Sequence, residues 1–209
     1  MEFANKLMER TGKGYLSYSA LKYAADGSPD QDMKMFEMYM TGELKKTSGA
    51  LQFGGLYDTL LLEPETLTDK YHVIFDDDKI VELSDQYKNP RASKVYKEWF
   101  ASELEHAGNK SIVNEDMMRQ AETMIKRLNE TEILDMETGL VMPARHYLKG
   151  QTQYEIMDWI GDIPVRGFLD VRGHNFISDS KTTAKSVHNF RYDINKYNYD
   201  IQAYIYCEV

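Results

Sequence analysis

The chain has 209 residues, of which 42% are apolar and 28% charged, and its formal net charge is −9. That length and apolar share suit one domain with a substantial core and a helical elaboration, and no apolar run approaches the ~20 residues of a membrane span. Net acidity excludes a protein that coats nucleic acid by bulk charge, because phosphate binding wants a basic surface, but it leaves room for a basic channel in an acidic exterior.

The opening Met-Glu-Phe-Ala-Asn-Lys lacks the basic-then-apolar layout of a signal peptide. Either Ser17 or Ser19 caps a predicted helix that runs to about Ala25, and Ser28-Pro29-Asp30 starts a second one carrying Met33, Met35, Phe36, Met38, Tyr39 and Met40. Methionines at helical spacing fill a core rather than build a binding surface. Ala50 to Leu62 reads as a third helix, ended by Pro64, with Asp58 one turn after Gly54 so that glycine leaves room beside it. A strand over Tyr71–Phe75 precedes Asp76-Asp77-Asp78; consecutive acids cannot all face one ion, so this triple is expected as a solvated loop. Pro90 to His106 and Glu115 to Leu128 have helical patterns, the second with Asn114 as its N-cap, and they bracket a short strand at Lys110–Val113. Lys88, Arg91, Lys94 and Lys97 recur every three residues and are expected as the solvated face of a helix.

Three strands in a meander follow, Gln151 to Trp159, Ile163 to Arg172 and Asn175 to Ser180, then a crossing segment and a helix from about Tyr199. A Gly161-Asp162 turn pairs Ile160 with Ile163 and hence Gln153 with Asp170. Gly173-His174-Asn175 has the composition of a second hairpin turn. With His174-Asn175 as its loop, Asp170 pairs directly with Asp179; with Gly173-His174, Asp179 becomes the diagonal neighbour on the same face. Cross-strand partners lie roughly 4.5–5.5 Å apart at Cβ, where like charges repel. A divalent cation between them turns that cost into binding energy. Lys181 points to the same face by the period of two, as does Arg166 relative to Asp170. Gln202 and Tyr206 are four apart and share a helix face. Lys185, Arg191 and Lys196 lie beside this group in the chain and are expected to meet phosphate. The histidines show neither HxH nor HExxH spacing, the glycines form no phosphate loop or dinucleotide fingerprint, and no GxSxG elbow occurs. Cys207 is the only cysteine, so one chain builds neither a disulfide nor a cysteine zinc site, and a reducing cytoplasm is the expected setting.

Asp170 followed by Asp179-Ser180-Lys181 resembles the acid…acid-X-Lys signature of the PD-(D/E)XK nuclease superfamily. Gln202-Ala-Tyr-Ile-Tyr206 is similar to the QxxxY motif that follows the core in its RecB-like and RecE-like branches. The run Gly54-Gly-Leu-Tyr-Asp58-Thr-Leu-Leu-Leu-Glu63-Pro-Glu65 looks like the RecE-type segment G-x-x-x-H-x-x-x-L-E-P-E, and Ser17–Leu21 and Gly108–Glu115 are weaker echoes. Their order matches exonuclease VIII-like phage and prophage enzymes. The resemblance implies an α/β (α+β) fold with a restriction-endonuclease-like core: a mixed central sheet flanked by helices. One domain over 1–209 is expected, with a helical part at about 1–62 and the catalytic core at about 151–209. Relatives usually continue further, so a truncated or shortened C-terminus is expected. A single thiol also separates the chain from relatives that carry an iron–sulfur cluster.

By the same resemblance, Mg²⁺, or Mn²⁺ as its substitute, is held by Asp170, Asp179 and the backbone carbonyl of Ser180. Lys181 orients or deprotonates the attacking water, while Gln202 and Tyr206 hold the DNA backbone or the lysine. Two positions depart from the pattern. Asp58 stands where the family has histidine, and its oxygen suits Mg²⁺ better than imidazole does. Gln153 stands where a glutamate is expected, offering a carbonyl oxygen without charge. The implied activity is digestion of one strand at double-stranded DNA ends, in the 5′→3′ direction, leaving an overhang for a single-strand annealing protein; relatives form rings, so a homo-oligomer is expected. The alternative is a catalytically weakened nuclease-fold DNA-binding or assembly protein, motivated by Gln153 and the acidic surface. Endonucleolytic cutting is a third reading.

Overall fold

The computed structural model describes residues 2–24, 28, 30–44, 48–136 and 138–209. Ala25 and Pro29, invoked for the end of the first capped helix and the start of the next, lie outside them. The chain forms two compact units, Met1–Thr47 with Tyr147–Val209, and Ser48–His146. The expected helical part over 1–62 is thereby divided at Ser48.

In the first unit, α1 spans Glu2–Thr11 and α2 spans Tyr18–Ala24. Ser17 is the cap of α2: its hydroxyl accepts from the Ala20 amide at 3.3 Å. The third helix, α3 (Met33–Thr41), begins later than the Ser-Pro-Asp pattern predicts, because Asp32 stays extended and its carboxylate accepts from the amides of Lys34 and Met35 at 2.9 and 3.1 Å. Met40 of α3 is buried, yet Met33 is 61% exposed, so core filling accounts for only part of the methionine run.

The second unit holds α4 (Gly49–Leu62), α5 (Leu67–Lys70), β1 (Tyr71–Ile74), α6 (Asp77–Ser84), α7 (Lys94–Ala107), β2 (Ser111–Asn114), α8 (Glu115–Glu130), β3 (Glu132–Leu134) and β4 (Val141–Pro143). The strands β1 and β2 are parallel, Tyr71 opposite Ser111 through Ile74 opposite Asn114, and β3–β4 is a small antiparallel pair that the sequence pattern did not predict. Leu56, Tyr57, Val113 and Ala121 form its buried cluster. Asn114 caps α8 by accepting from the Met117 amide at 2.9 Å. The aspartate triple is not a loop: Asp77 and Asp78 occupy the first turn of α6, where acids complement the helix dipole, and Asp76 accepts from Tyr96 Oη at 2.5 Å and Arg91 Nε at 3.1 Å. The basic stripe fails as one helix face for a related reason. Lys88 and Arg91 precede α7, which Ser93 caps, and Arg91 is drawn to Asp76.

The chain then returns to the first unit with β5 (Gln151–Ile160), β6 (Ile163–Arg172) and β7 (Ile177–Ser178), antiparallel in that order, followed by α9 (Phe190–Tyr197) and α10 (Tyr199–Glu208). Ile160 pairs with Ile163, as the two-residue turn requires, and Gly161 takes φ +59° there. The sheet gains a parallel element at one bridge, where Leu16 N donates to Pro164 O and Arg166 N to Leu16 O. Leu7, Leu16, Ala20, Met40, Val165 and Ile205 make the core of this unit. No helix among the described residues is long and apolar enough to cross a membrane.

Candidate active site

Asp170 sits on β6 between Leu169 and Val171, which are 2% and 0% exposed and anchor the strand on either side of it. The β6–β7 register pairs Val171 with Ser178 and Arg172 with Ile177, and Gly173 N closes the turn onto Phe176 O. Of the two turns the composition allowed, this is the His174-Asn175 one, although the ladder ends at Val171–Ser178, one step before the expected Asp170–Asp179 pair. The strand predicted to Ser180 stops at Ser178 because the Ser180 amide donates to Asp170 Oδ2 at 2.6 Å instead of to a ladder partner.

Around Asp179 the remaining groups converge. Its Oδ2 forms an ion pair with Lys181 Nζ, and its Oδ1 accepts from Gln202 Nε2 at 3.1 Å. Gln202, buried on α10, also donates to Tyr206 Oη at 3.0 Å. The Tyr206 ring lies against β6 where Gly167 leaves space; a Cβ there would come within 2.8 Å of the ring. Lys181 Nζ stands 5.3 Å from the Tyr199 ring centroid. Tyr199 precedes Gln202 by three residues on α10, so helical spacing carried a signal for it.

Charge follows from this packing. Burial pushes the Asp170 pKa above the usual carboxylate range and the Asp179 charge adds to it, while the Ser180 amide and Lys181 oppose the shift. Burial likewise raises the Tyr206 phenol, aided by Asp179 and Asp170 and opposed by the Gln202 hydrogen bond, so Tyr206 is a neutral donor. A buried carboxylate whose ionisation is opposed by burial and by its neighbour Asp179 fits a hard oxygen-seeking cation. Among the described residues no group of three or more His, Cys, Asp or Glu is gathered to hold a metal. A two-carboxylate set suits Mg²⁺, which keeps several waters and takes substrate phosphate oxygens as well.

Gln153 occupies the strand position opposite Asp170, but the expected pair is not formed in the ladder. Pairing runs through Thr152–Val171 and Tyr154–Leu169 and skips this step, where Gln153 adopts φ +48°. A left-handed residue inside a strand breaks the alternation on which the parity argument rests. Asp58 lies on α4 in the Ser48–His146 unit, where its charge contributes to raising the Tyr71 pKa, after burial as the main cause. The space at Gly55 is taken by Tyr71, since a Cβ there would stand 2.8 Å from Tyr71 Oη.

The basic residues divide. Arg166 donates to Glu155 Oε1 and Tyr15 Oη, each at 2.5 Å, and lies over the Tyr15 and Phe168 rings. It lines a cavity of about 480 Å³ together with Lys13, Ser17, Lys181, Tyr199 and Gln202. Lys185, expected at phosphate, is held by the buried carboxylate of Asp193 at 2.6 Å, because a buried acid needs a counter-charge. Arg191 and Lys196 are exposed on α9, 4.9 and 5.0 Å from the ring centroids of Tyr192 and Tyr197.

A family model described as a PDDEXK-like domain of unknown function (DUF3799) matches residues 17–209. No curated protein and no solved structure matches the chain.

Proposed function

The chain belongs to the PDDEXK-like DUF3799 family, and from that membership we propose that it is a metal-dependent exodeoxyribonuclease acting on the ends of linear duplex DNA. The observation that carries this reading is the convergence of Asp170, Asp179 and Lys181 with Gln202 and Tyr206 in one hydrogen-bonded group. Asp170 and Asp179 would hold Mg²⁺, or Mn²⁺ in its place, with the Ser180 carbonyl as a further oxygen; such an ion supplies a nucleophilic water and stabilises charge on the leaving oxygen. As the ammonium paired to Asp179, Lys181 orients the attacking water and offsets phosphate charge; to deprotonate that water it first has to give up its own proton. Its ion pair with Asp179 pre-positions it. Gln202 fixes Asp179 and Tyr206 at once, so one buried amide sets the orientation of an acid and a phenol. The neutral Tyr206 phenol donates to the DNA backbone without adding charge. Arg166, which lines the neighbouring cavity, would meet a phosphate through guanidinium edges beyond its bonds to Glu155 and Tyr15.

The finer assignment rests on the RecE-type resemblance of Gly54–Glu65 and Gln202–Tyr206: one strand removed 5′→3′, a 3′ overhang passed to a single-strand annealing protein, and a homo-oligomer around the duplex, all in the cytoplasm. A second reading, a catalytically weakened DNA-binding or assembly protein, is favoured by the left-handed glutamine at the glutamate position. Incubation of purified protein with linear duplex separates the two. An exonuclease degrades it with Mg²⁺ and not with EDTA, loses activity in Asp179→Ala and Lys181→Ala, and spares closed circular DNA, which an endonuclease cuts. A weakened protein binds the duplex and leaves it intact.

A further inference from the structure

The surface of α9 alternates rings and cations. Tyr192 is 60% exposed, and Arg191 both lies over its ring and donates to its hydroxyl at 3.0 Å. Tyr197 is 39% exposed with Lys196 over its ring, and it touches Tyr199 at a centroid distance of 5.7 Å. Tyr199 in turn carries Lys181. The acid of this helix, Asp193, is buried and neutralised by Lys185, so the exposed charge of α9 is positive on a chain whose net charge is −9. Tyr192 and Lys196 share a helix face, one turn apart, and Tyr197 lies about 140° round the helix from Tyr192, against Tyr199.

We propose that α9 is a stacking platform for unpaired single-stranded DNA, leading the strand from Tyr192 and Tyr197 past Tyr199 to Lys181. The inference builds on the nuclease reading and names the form of strand which that site receives. Physical chemistry selects this occupant. Unpaired DNA presents base faces together with phosphates, and rings interleaved with cations match both. A duplex hides its base faces and needs cations alone, so exposed tyrosines add nothing to its binding.

The test measures fluorescence anisotropy of a labelled oligo-dT and of a blunt duplex of equal length, in EDTA so that nothing is cleaved. Tyr192→Ala and Tyr197→Ala are each expected to weaken oligo-dT binding about 10-fold, Tyr192→Phe and Tyr197→Phe to preserve it, and duplex affinity to stay close to wild type. Unchanged oligo-dT affinity in both Ala variants, as a docking face for a protein partner gives, overturns the proposal. Parallel loss of oligo-dT and duplex affinity overturns it too, as does wild-type protein that does not bind oligo-dT. Cleavage of linear duplex with Mg²⁺ is scored separately. Ring-dependent oligo-dT binding by a protein that cleaves nothing contradicts the catalytic reading and leaves the platform standing.

Discussion

Lys181 is tied to Asp179 and stands over the Tyr199 ring, so its position is set from two sides before any substrate arrives. A general base contributes roughly 10²- to 10⁴-fold to a rate, and Lys181→Ala is expected to lose that much in single-turnover cleavage while oligonucleotide affinity falls far less. Asp170 gives a prediction with a pH sign. Its folded pKa lies above the ordinary carboxylate value, through burial and then the Asp179 charge. The folded protein therefore binds the Asp170 proton more tightly than the unfolded chain does. Its favourable contribution to folding is present below the unfolded pKa of ~3.9 and is lost as pH rises through the folded one. Asp170→Asn is thus expected to raise Tm at neutral pH in EDTA, with no such gain near pH 3. Added Mn²⁺ is expected to stabilise wild type at neutral pH and to do little for Asp170→Asn. Thermal melts at the two pH values check both statements, and an Asn variant that melts earlier at neutral pH contradicts them.

At the scale of elements, the β5–β6–β7 meander sets the site and α10 clamps it. Gly167 is where the two touch. Gly167→Ala forces Tyr206 to shift, since its Cβ would also meet Ile156 at 3.4 Å, and such overpacking costs about 1–3 kcal/mol. Urea unfolding should show that loss, together with slower cleavage as Tyr206 and Gln202 move. Gln153 offers the opposite change. A left-handed non-glycine residue costs roughly 1–2 kcal/mol, and glycine's extra unfolded-state freedom offsets roughly 0.5–1 kcal/mol of that. Gln153→Gly is therefore expected to stabilise the fold by about 0.5–1 kcal/mol in the same assay. The β5–β6 register was legible in the sequence, because Gly161-Asp162 is a turn dipeptide and a turn fixes pairing, whereas at the second turn the composition left two loops open and the structure adopts His174-Asn175. The break at Gln153 was not legible: parity arguments assume an unbroken strand, and glutamine carries no preference for positive φ. The crossing segment concealed α9 because its one buried polar anchor, Asp193, depends on Lys185 across a loop rather than on periodicity. In the same way α6 was hidden by reading the aspartate triple as a loop: Asp77 and Asp78 are exposed, as expected, but they form the first turn of a helix.

At the scale of the whole molecule, a net charge of −9 opposes long-range attraction to DNA, so binding has to come from a local patch. Oligonucleotide affinity is therefore expected to fall with added salt, and Arg191→Ala to reduce the log–log salt slope by about 1; an unchanged slope places the phosphate contacts elsewhere. The two buried clusters explain why the helical segment before Leu62 was not one body: α1–α3 pack with β6 and α10, while α4 packs with β2 and α8. Composition cannot show that partition, since both clusters draw on the same residue types. The most direct measurement is digestion of a 5′-labelled linear duplex in Mg²⁺ by wild type, Asp179→Ala and Lys181→Ala. The expected result is label released by wild type and retained by both variants; equal release by all three, or none by wild type, contradicts the site.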